Sequence, residues 1–294
     1  MKLLVTGANG FIGRHLVAKL AQDHEVFALV RGRHRSPPSQ SVSGIEMDLS
    51  RALDLVRLPS TIDVIIHLAQ ANAPFPEEAN ELLAVNTAST QHLLDYGRRA
   101  GAKRFILAST GDVYGRHFEP SKETDEVDAT TFYAVTKRAA EMLIQTYSGY
   151  LETCILRLFH PYGSEQTARL LPRLARAIQE QKPIRLQNGD RPHLSPMHID
   201  DVIIAFEQAI NSSWCGIMNV AGDNVVSMRE LAEEIGTVLL TRPLFETNDE
   251  DASDLTGDNE LMKQVFGAWP MVTLAAGLRR TFKGEEARGC QTHS

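Results

Sequence analysis

The chain lacks any apolar run long enough to cross a bilayer, so no membrane-spanning helix is expected. It also lacks excess positive charge. Its 30 Lys and Arg stand against 37 Asp and Glu, a formal net charge of −7, which argues against a nucleic-acid or anionic-membrane partner. Cysteine is scarce. Cys154, Cys215 and Cys290 are odd in number and share no paired spacing, which argues against a disulfide framework and suits a reducing compartment. There is no Cys-x-x-Cys, no His-Glu-x-x-His and no internal repeat, and no metal is expected. Met1 leads straight into the apolar run Leu3-Leu4-Val5, which leaves no room for a signal peptide; the expected location is the cytoplasm. Apolar residues, by contrast, are plentiful. They make up 43% of 294 residues, enough for one large α/β domain with a smaller lobe.

Three segments carry chemistry. Thr6-Gly7-Ala8-Asn9-Gly10-Phe11-Ile12-Gly13 follows the first apolar run and opens a helical pattern of Ile12, Leu16, Val17 and Leu20. Strand, glycine turn and helix in that order make a dinucleotide site. Gly7 permits the tight turn, Gly10 lets backbone approach a pyrophosphate, and Gly13 lets helix and strand pack closely. The helix N-terminus then offers free N–H groups to the phosphates. Next, Tyr133-Ala134-Val135-Thr136-Lys137 puts a phenol and an ammonium at i and i+4, on one helix face. A phenol needs a nearby cation to ionise near neutral pH, and Lys137 can supply it. Finally, the apolar strand Phe105-Ile106-Leu107-Ala108 ends in Ser109-Thr110-Gly111-Asp112-Val113-Tyr114-Gly115. Ligands of open α/β sheets sit at the carboxyl ends of strands, so Ser109 or Thr110 is placed to bond a substrate oxygen beside Tyr133.

Strands expected at 2–6, 25–30, 63–68, 104–109 and 153–158 alternate with helices at 11–22, 78–100 and 131–149. That alternation implies a parallel sheet wound on both faces. Arg31 to Ser43 reads as a surface loop, and Glu246 to Asp258 as a solvated acidic loop. Helices are expected at 169–181, at 201–211 with Asp200 or Asp201 as N-cap, and at 227–240. Ile184-Arg185-Leu186 reads as a short strand, Ile217 to Val220 as a strand returning to the main sheet, and the polar tail after Lys283 as frayed.

These segments resemble the extended short-chain dehydrogenases/reductases, a family that includes sugar-nucleotide epimerases, dehydratases and ketoreductases. The resemblance also covers Ile65-Ile66-His67-Leu68-Ala69, Val85-Asn86-Thr87, Arg157-Leu158-Phe159-His160-Pro161-Tyr162-Gly163 and His198-Ile199-Asp200-Asp201-Val202. It runs from Met1 to about Ala221 and is thin afterwards. It implies an α/β, Rossmann-like doubly wound parallel sheet with a smaller C-terminal substrate-binding lobe. The nucleotide domain would take 1–160 and return at about 195–222; the lobe would take about 161–194 and 223–294. It also implies Tyr133 as general acid/base, Lys137 as its tuning partner and ribose contact, and Thr110 as the residue orienting substrate. The cofactor contacts implied are Gly7, Asn9, Gly10, Phe11, Ile12 and Gly13, with Asp48 and Leu49 at the adenine and Leu68, Ala69 and Gln70 past the diphosphate and ribose. Ser109, Tyr133, Lys137, Phe159 and His160 complete that set. Asn86 reads either as a further contact or as a buried polar residue bonded to nearby backbone.

Cofactor choice turns on the end of the second strand, Ala28-Leu29-Val30-Arg31-Gly32-Arg33. No carboxylate stands there to bond a ribose 2′-hydroxyl, whereas Arg31 and Arg33 suit a 2′-phosphate, so NADP is preferred over NAD. Gly111 replaces the first acid of the dehydratase Asp-Glu pair, which disfavours loss of water. Leu194 stands where nucleotide-sugar enzymes often carry an arginine. Substrate contacts are assigned to Asp112, His160, Arg191 and His193. The leading expectation is therefore an NADP(H)-dependent ketoreductase acting on a nucleotide-linked keto-deoxysugar or similar carbonyl. The alternatives are an NAD-dependent nucleotide-sugar 4-epimerase and a non-catalytic dinucleotide-binding protein. A homodimer is expected through the helices at 78–100 and 131–149, using Leu82, Leu83, Leu93, Leu94, Met142 and Leu143.

Overall fold

The computed structural model describes residues 1–32, 40–250 and 253–284. β1 (Lys2–Thr6) enters the glycine turn and α1 (Phe11–Leu20), followed by β2 (Glu25–Val30), β3 (Val42–Glu46) and β4 (Val64–His67). α2 (Ala79–Leu83) runs through a π-turn (Ala84–Ala88) into α3 (Ser89–Arg99). β5 (Arg104–Thr110), α4 (Phe132–Thr146) and β6 (Glu152–Leu158) come next. Beyond them lie β7 (Pro161–Tyr162), α5 (Leu170–Gln179), β8 (Ile184–Gln187), β9 (His193–Leu194), β10 (Met197–His198) and α6 (Ile199–Asn211). The described chain closes with β11 (Gly216–Val220), β12 (Val226–Ser227), α7 (Met228–Leu239), β13 (Phe245–Asn248), α8 (Glu260–Phe266) and α9 (Leu274–Lys283).

Seven strands form one parallel sheet in the order β11-β6-β5-β4-β1-β2-β3. β4 and β5 are buried along their whole lengths, as parallel strands covered by helices on both faces must be. Alternate residues serve opposite cores. Leu3 and Val5 pack with Leu16 and Val17 of α1 and Phe206 of α6, whereas Leu4 packs with Leu93 and Leu94 of α3 and Ile144 of α4. Each such leucine or valine contributes about 1.5–3 kcal/mol by leaving water. A further apolar core joins α5, α7, α9 and β8 through Leu174, Ile178, Leu186, Leu231, Ile235 and Leu278. The chain winds from β1 outward to β3 and then resumes at β4 on β1's other side. The crevice between the carboxyl ends of β1 and β4 is therefore the topological switch point, where ligands of such sheets bind.

Several expectations need correction. The loop assigned to Arg31–Ser43 gives way at Val42 to β3, an edge strand whose mixed exposure hid its pattern. The helix expected at 78–100 is interrupted by the π-turn, which buries Asn86. α6 is capped by His198, whose Nδ1 accepts from the Asp200 amide at 3.3 Å, and not by Asp200 or Asp201. Asp200 pairs with Arg280, and Asp201 accepts from Trp269 Nε1 and the Val272 amide, each at 3.0 Å. The acidic stretch is not a solvated loop throughout: β13 pairs with β8, and Asp254 and Thr256 are each 3% exposed. The polar tail from 285 onward and Arg33 lie outside the described residues. No helix among the described residues is long and apolar enough to cross a membrane.

Candidate active site

The glycine turn fits a dinucleotide by shape. Gly7 has φ +67°, and a Cβ there would stand 2.8 Å from the Ala69 amide nitrogen, so β1 and β4 approach backbone to backbone. A Cβ on Gly13 would collide with the Gly7 carbonyl. Gly10 is the N-cap of α1, with no side-chain cap and no acidic residue in the first turn. The leading N–H groups of α1 thus have no acidic side chain in their own first turn to bond. Asn9, Phe11 and Ile12 lie in this turn and the first turn of α1; Leu68, Ala69 and Gln70 follow β4 across the crevice. Thr6 Oγ1 accepts from the Ala69 amide at 3.1 Å and bonds His67 Nδ1 at 2.7 Å, which ties the two strand ends together.

At the adenosine end, Asp48 follows β3. Its carboxylate accepts from Ser50 N at 3.0 Å and Ser50 Oγ at 2.8 Å. Those bonds, with Arg51 and Arg31 nearby, hold it below the usual carboxylate range. Leu49 is buried beside it. Arg31 Nη1 donates to Glu81 Oε1 of α2 at 2.9 Å, in a pair whose arginine is largely exposed. A guanidinium so paired must share its donors between Glu81 and any 2′-phosphate. Arg33, the other arginine behind the NADP preference, lies outside the described residues, so the described residues lend that preference no support.

α4 is capped by Thr131, whose Oγ1 accepts from the Ala134 amide at 3.1 Å. That start brings Tyr133 and Lys137 to the ends of β4 and β5. The Tyr133 hydroxyl donates to Gln70 Oε1 at 2.7 Å, and Lys137 Nζ donates to the Ala108 carbonyl at 2.7 Å. Thr110 Oγ1 donates to Asp112 Oδ2 at 2.8 Å. Burial pushes the Tyr133 phenol up, the Asp112 carboxylate adds to the rise, and Arg169 and the Thr110 hydroxyl oppose it. Burial lowers Lys137 to about 8, with Glu141 partly offsetting the fall. His160 sits at φ +44° and is lowered to about 4 by burial, against the pull of Asp112, so its imidazole is neutral. Among the described residues nothing partners its buried Nδ1, which leaves a polar atom for a ligand to satisfy. Phe159 is fully buried, its ring wedged so closely against Gly111 and Gly257 that neither position has room for a Cβ.

Not every candidate side chain arrives here. Ser109 and Thr110 alternate on β5, and the Ser109 hydroxyl turns away to Glu141 Oε1 at 2.6 Å. Glu141 is also held by Arg157 Nη2 at 2.7 Å and Arg138 Nη1 at 3.0 Å, a buried network behind the site. Asn86 spends its amide on the Ala71 backbone at 2.7 and 3.1 Å and on Thr136 Oγ1 at 3.0 Å. Arg191 pairs with Asp254 at 2.6 Å and the His193 amide donates to the same carboxylate at 2.8 Å, so both are anchored on the acidic stretch. Sequence reasoning missed Glu81 and Arg169. Arg169 stands at the N-terminus of α5 without a capping bond, and its charge reaches Tyr133; only the fold brings it there. Among the described residues no cluster of three or more His, Cys, Asp or Glu is placed to hold a metal ion.

Comparison with known proteins places the fold and family. A Bacillus subtilis (strain 168) protein described as an uncharacterized UDP-glucose epimerase, YtcB, is 27% identical over 95% of this chain and 96% of its own length. The solved structure of MoeE5 with UDP-glucuronic acid and NAD is 28% identical, covers 97% of this chain and 98% of that one, and superposes with a TM-score of 0.85. UDP-glucuronic acid 4-epimerase from Bacillus cereus, solved with UDP-glucuronic acid and NAD, shares the fold at a TM-score of 0.87 and 24% identity over 97% and 98% of the two chains. Residues 3–221 match the NAD dependent epimerase/dehydratase family, and by that span the chain belongs to it.

Proposed function

We propose that the protein is an NAD-dependent 4-epimerase of a nucleotide-linked sugar. The observation that carries this over the reductase is the Arg31–Glu81 ion pair at 2.9 Å, which engages one of the two arginines on which an NADP(H) preference rested, Arg33 lying outside the described residues. A bound dinucleotide supplies a reversible hydride acceptor, and the glycine turn with the α1 N-terminus fits its diphosphate. The protein supplies the proton chemistry. Tyr133 takes the hydroxyl proton from the carbinol being oxidised and returns it when the carbonyl is reduced on the opposite face. Thr110, bonded to Asp112, orients the sugar oxygen; Lys137, charged at neutral pH, favours the phenolate. The relative named as a UDP-glucose epimerase and the NAD-bound MoeE5 complex support the same reading.

The test is redox balance. Purified protein is incubated with UDP-glucuronic acid or UDP-glucose and no added cofactor, the sugars are followed by NMR, and the co-purified nucleotide is identified by mass spectrometry. Bound NAD and appearance of the C4 epimer without accumulating NADH are expected. Stoichiometric consumption of NADPH by a keto-sugar nucleotide, with no epimerisation, overturns the reading in favour of a reductase.

We also propose a homodimer through α2–α3 and α4, on a smaller face than the sequence suggested. Leu82, Leu93 and Leu94 belong to the core, and Leu143 packs against it. Leu83, Ala88, Val135 and Met142 remain on the exposed side of these helices and would form the contact.

A further inference from the structure

Gln70 and Tyr133 are registered against each other by one buried residue. The backbone on either side of Gln70 is pinned: the Ala69 amide by Thr6 Oγ1 at 3.1 Å, and the Ala71 amide and carbonyl by Asn86 at 2.7 and 3.1 Å. Asn86 also donates to Thr136 Oγ1 at 3.0 Å, and Thr136 Oγ1 donates to the carbonyl of Tyr133 itself at 2.7 Å. Thr87 adds a bond from its hydroxyl to the Thr136 carbonyl at 2.9 Å. The π-turn of α2–α3 is what inserts Asn86 between the β4 end and α4. The ring Asn86–Ala71–Gln70–Tyr133–Thr136 closes through the 2.7 Å bond from the phenol to Gln70 Oε1.

We infer that Gln70 is a positioning residue for Tyr133, holding the phenolic oxygen in both of its protonation states. This inference rests on the acid/base role given to Tyr133 in the proposed reaction. A side-chain amide carries an acceptor and a donor of equal reach. With Tyr133 protonated, Oε1 accepts the hydroxyl, as observed. With Tyr133 ionised, the amide turned over about its last torsion presents Nε2–H to the phenolate. No proton leaves or joins Gln70; the proton exchanged is the one Tyr133 passes to and from the substrate oxygen. Gln70 itself is exposed, so its side chain is free to turn, while its backbone is fixed by the Asn86 frame.

Gln70→Leu and Gln70→Glu separate the two halves of this role. The leucine removes both bonds; kcat should fall roughly ten- to hundredfold through lost alignment while KM stays within about threefold. The glutamate accepts from the phenol but repels the phenolate, so the pH midpoint of kcat should rise by about one unit or more. A second readout needs neither substrate nor cofactor. In protein carrying carbon-13 at the tyrosine Cζ, the Tyr133 resonance is the one missing from Tyr133→Phe. It should move in Gln70→Leu at neutral pH while the other tyrosine resonances stay. Native kcat and pH midpoint in both variants, or an unmoved Tyr133 resonance in Gln70→Leu, overturns the inference. If no nucleotide sugar is turned over by the native protein, the reaction assignment fails alone and the resonance still decides the role of Gln70.

Discussion

Lys137 occupies a place that costs stability. It is 1% exposed, and burial brings its ammonium from 10.5 to about 8. That corresponds to roughly 3 kcal/mol of opposition to folding while the amine is charged. The opposition is complete below about pH 8 and fades as pH rises towards 10.5, because in that window only the unfolded chain holds the proton. Lys137→Met should therefore be more stable than the native protein at neutral pH by about 1–3 kcal/mol, after the lost bond to Ala108 is counted, with the gain shrinking at alkaline pH. Thermal denaturation across pH checks this; a less stable variant at neutral pH refutes it. Turnover should vanish in the same variant. Tyr133→Phe should fold, bind NAD and lose about 10²–10⁴-fold in kcat. Native turnover in that variant removes Tyr133 from the chemistry. At the other end of the crevice, Glu81→Gln should release Arg31 and tighten NADPH about tenfold relative to NADH, by fluorescence titration. Unchanged discrimination would show that the ion pair does not govern cofactor choice. That Tyr133 and Lys137 share a helix face was legible because their i, i+4 spacing is local, whereas Thr110 was singled out from Ser109 only through the resemblance. Glu81 was not legible, since it reaches Arg31 from a helix fifty residues further on.

Among the elements, the least legible were those whose pattern is set by a distant neighbour. β3 alternates too weakly to announce itself and exists because β2 offers it an edge. The π-turn looks in sequence like ordinary helix; it is fixed by Asn86 finding the Ala71 backbone fifteen residues away. The acidic stretch read as solvated because of its charge. In the fold, Asp254 accepts from the His193 amide and pairs with Arg191, which in turn lies 5.1 Å over the Phe118 ring. Asp254→Ala should lower stability by about 1–3 kcal/mol, below the ~3–5 kcal/mol of a fully buried pair because Arg191 keeps some solvent. A denaturation midpoint equal to native would return the stretch to the solvated loop first expected. The glycine turn, α4 and the main strands were readable because burial on both sheet faces and helical periodicity are written into consecutive residues.

For the molecule as a whole, the exposed residues Leu83, Ala88, Val135 and Met142 predict a particle of about twice 32.6 kDa by light scattering after size exclusion. Val135→Glu with Met142→Glu should reduce it to a single chain without loss of fold. A native mass of 32.6 kDa at micromolar concentration would sink the dimer.

The path of the chain past β6 has another consequence. After leaving for α5 and β8, it comes back to lay α6 on the sheet and β11 beside β6, departs through α7 and β13, and returns once more with α8 against β11. The region around α5, α7 and α9 is thus not a cassette on a single hinge of sequence. A chimera made with a relative at one crossover would inherit an edge strand from one parent and the helices that must cover it from the other. Directed recombination of this protein will preserve the core only when several splice points move together.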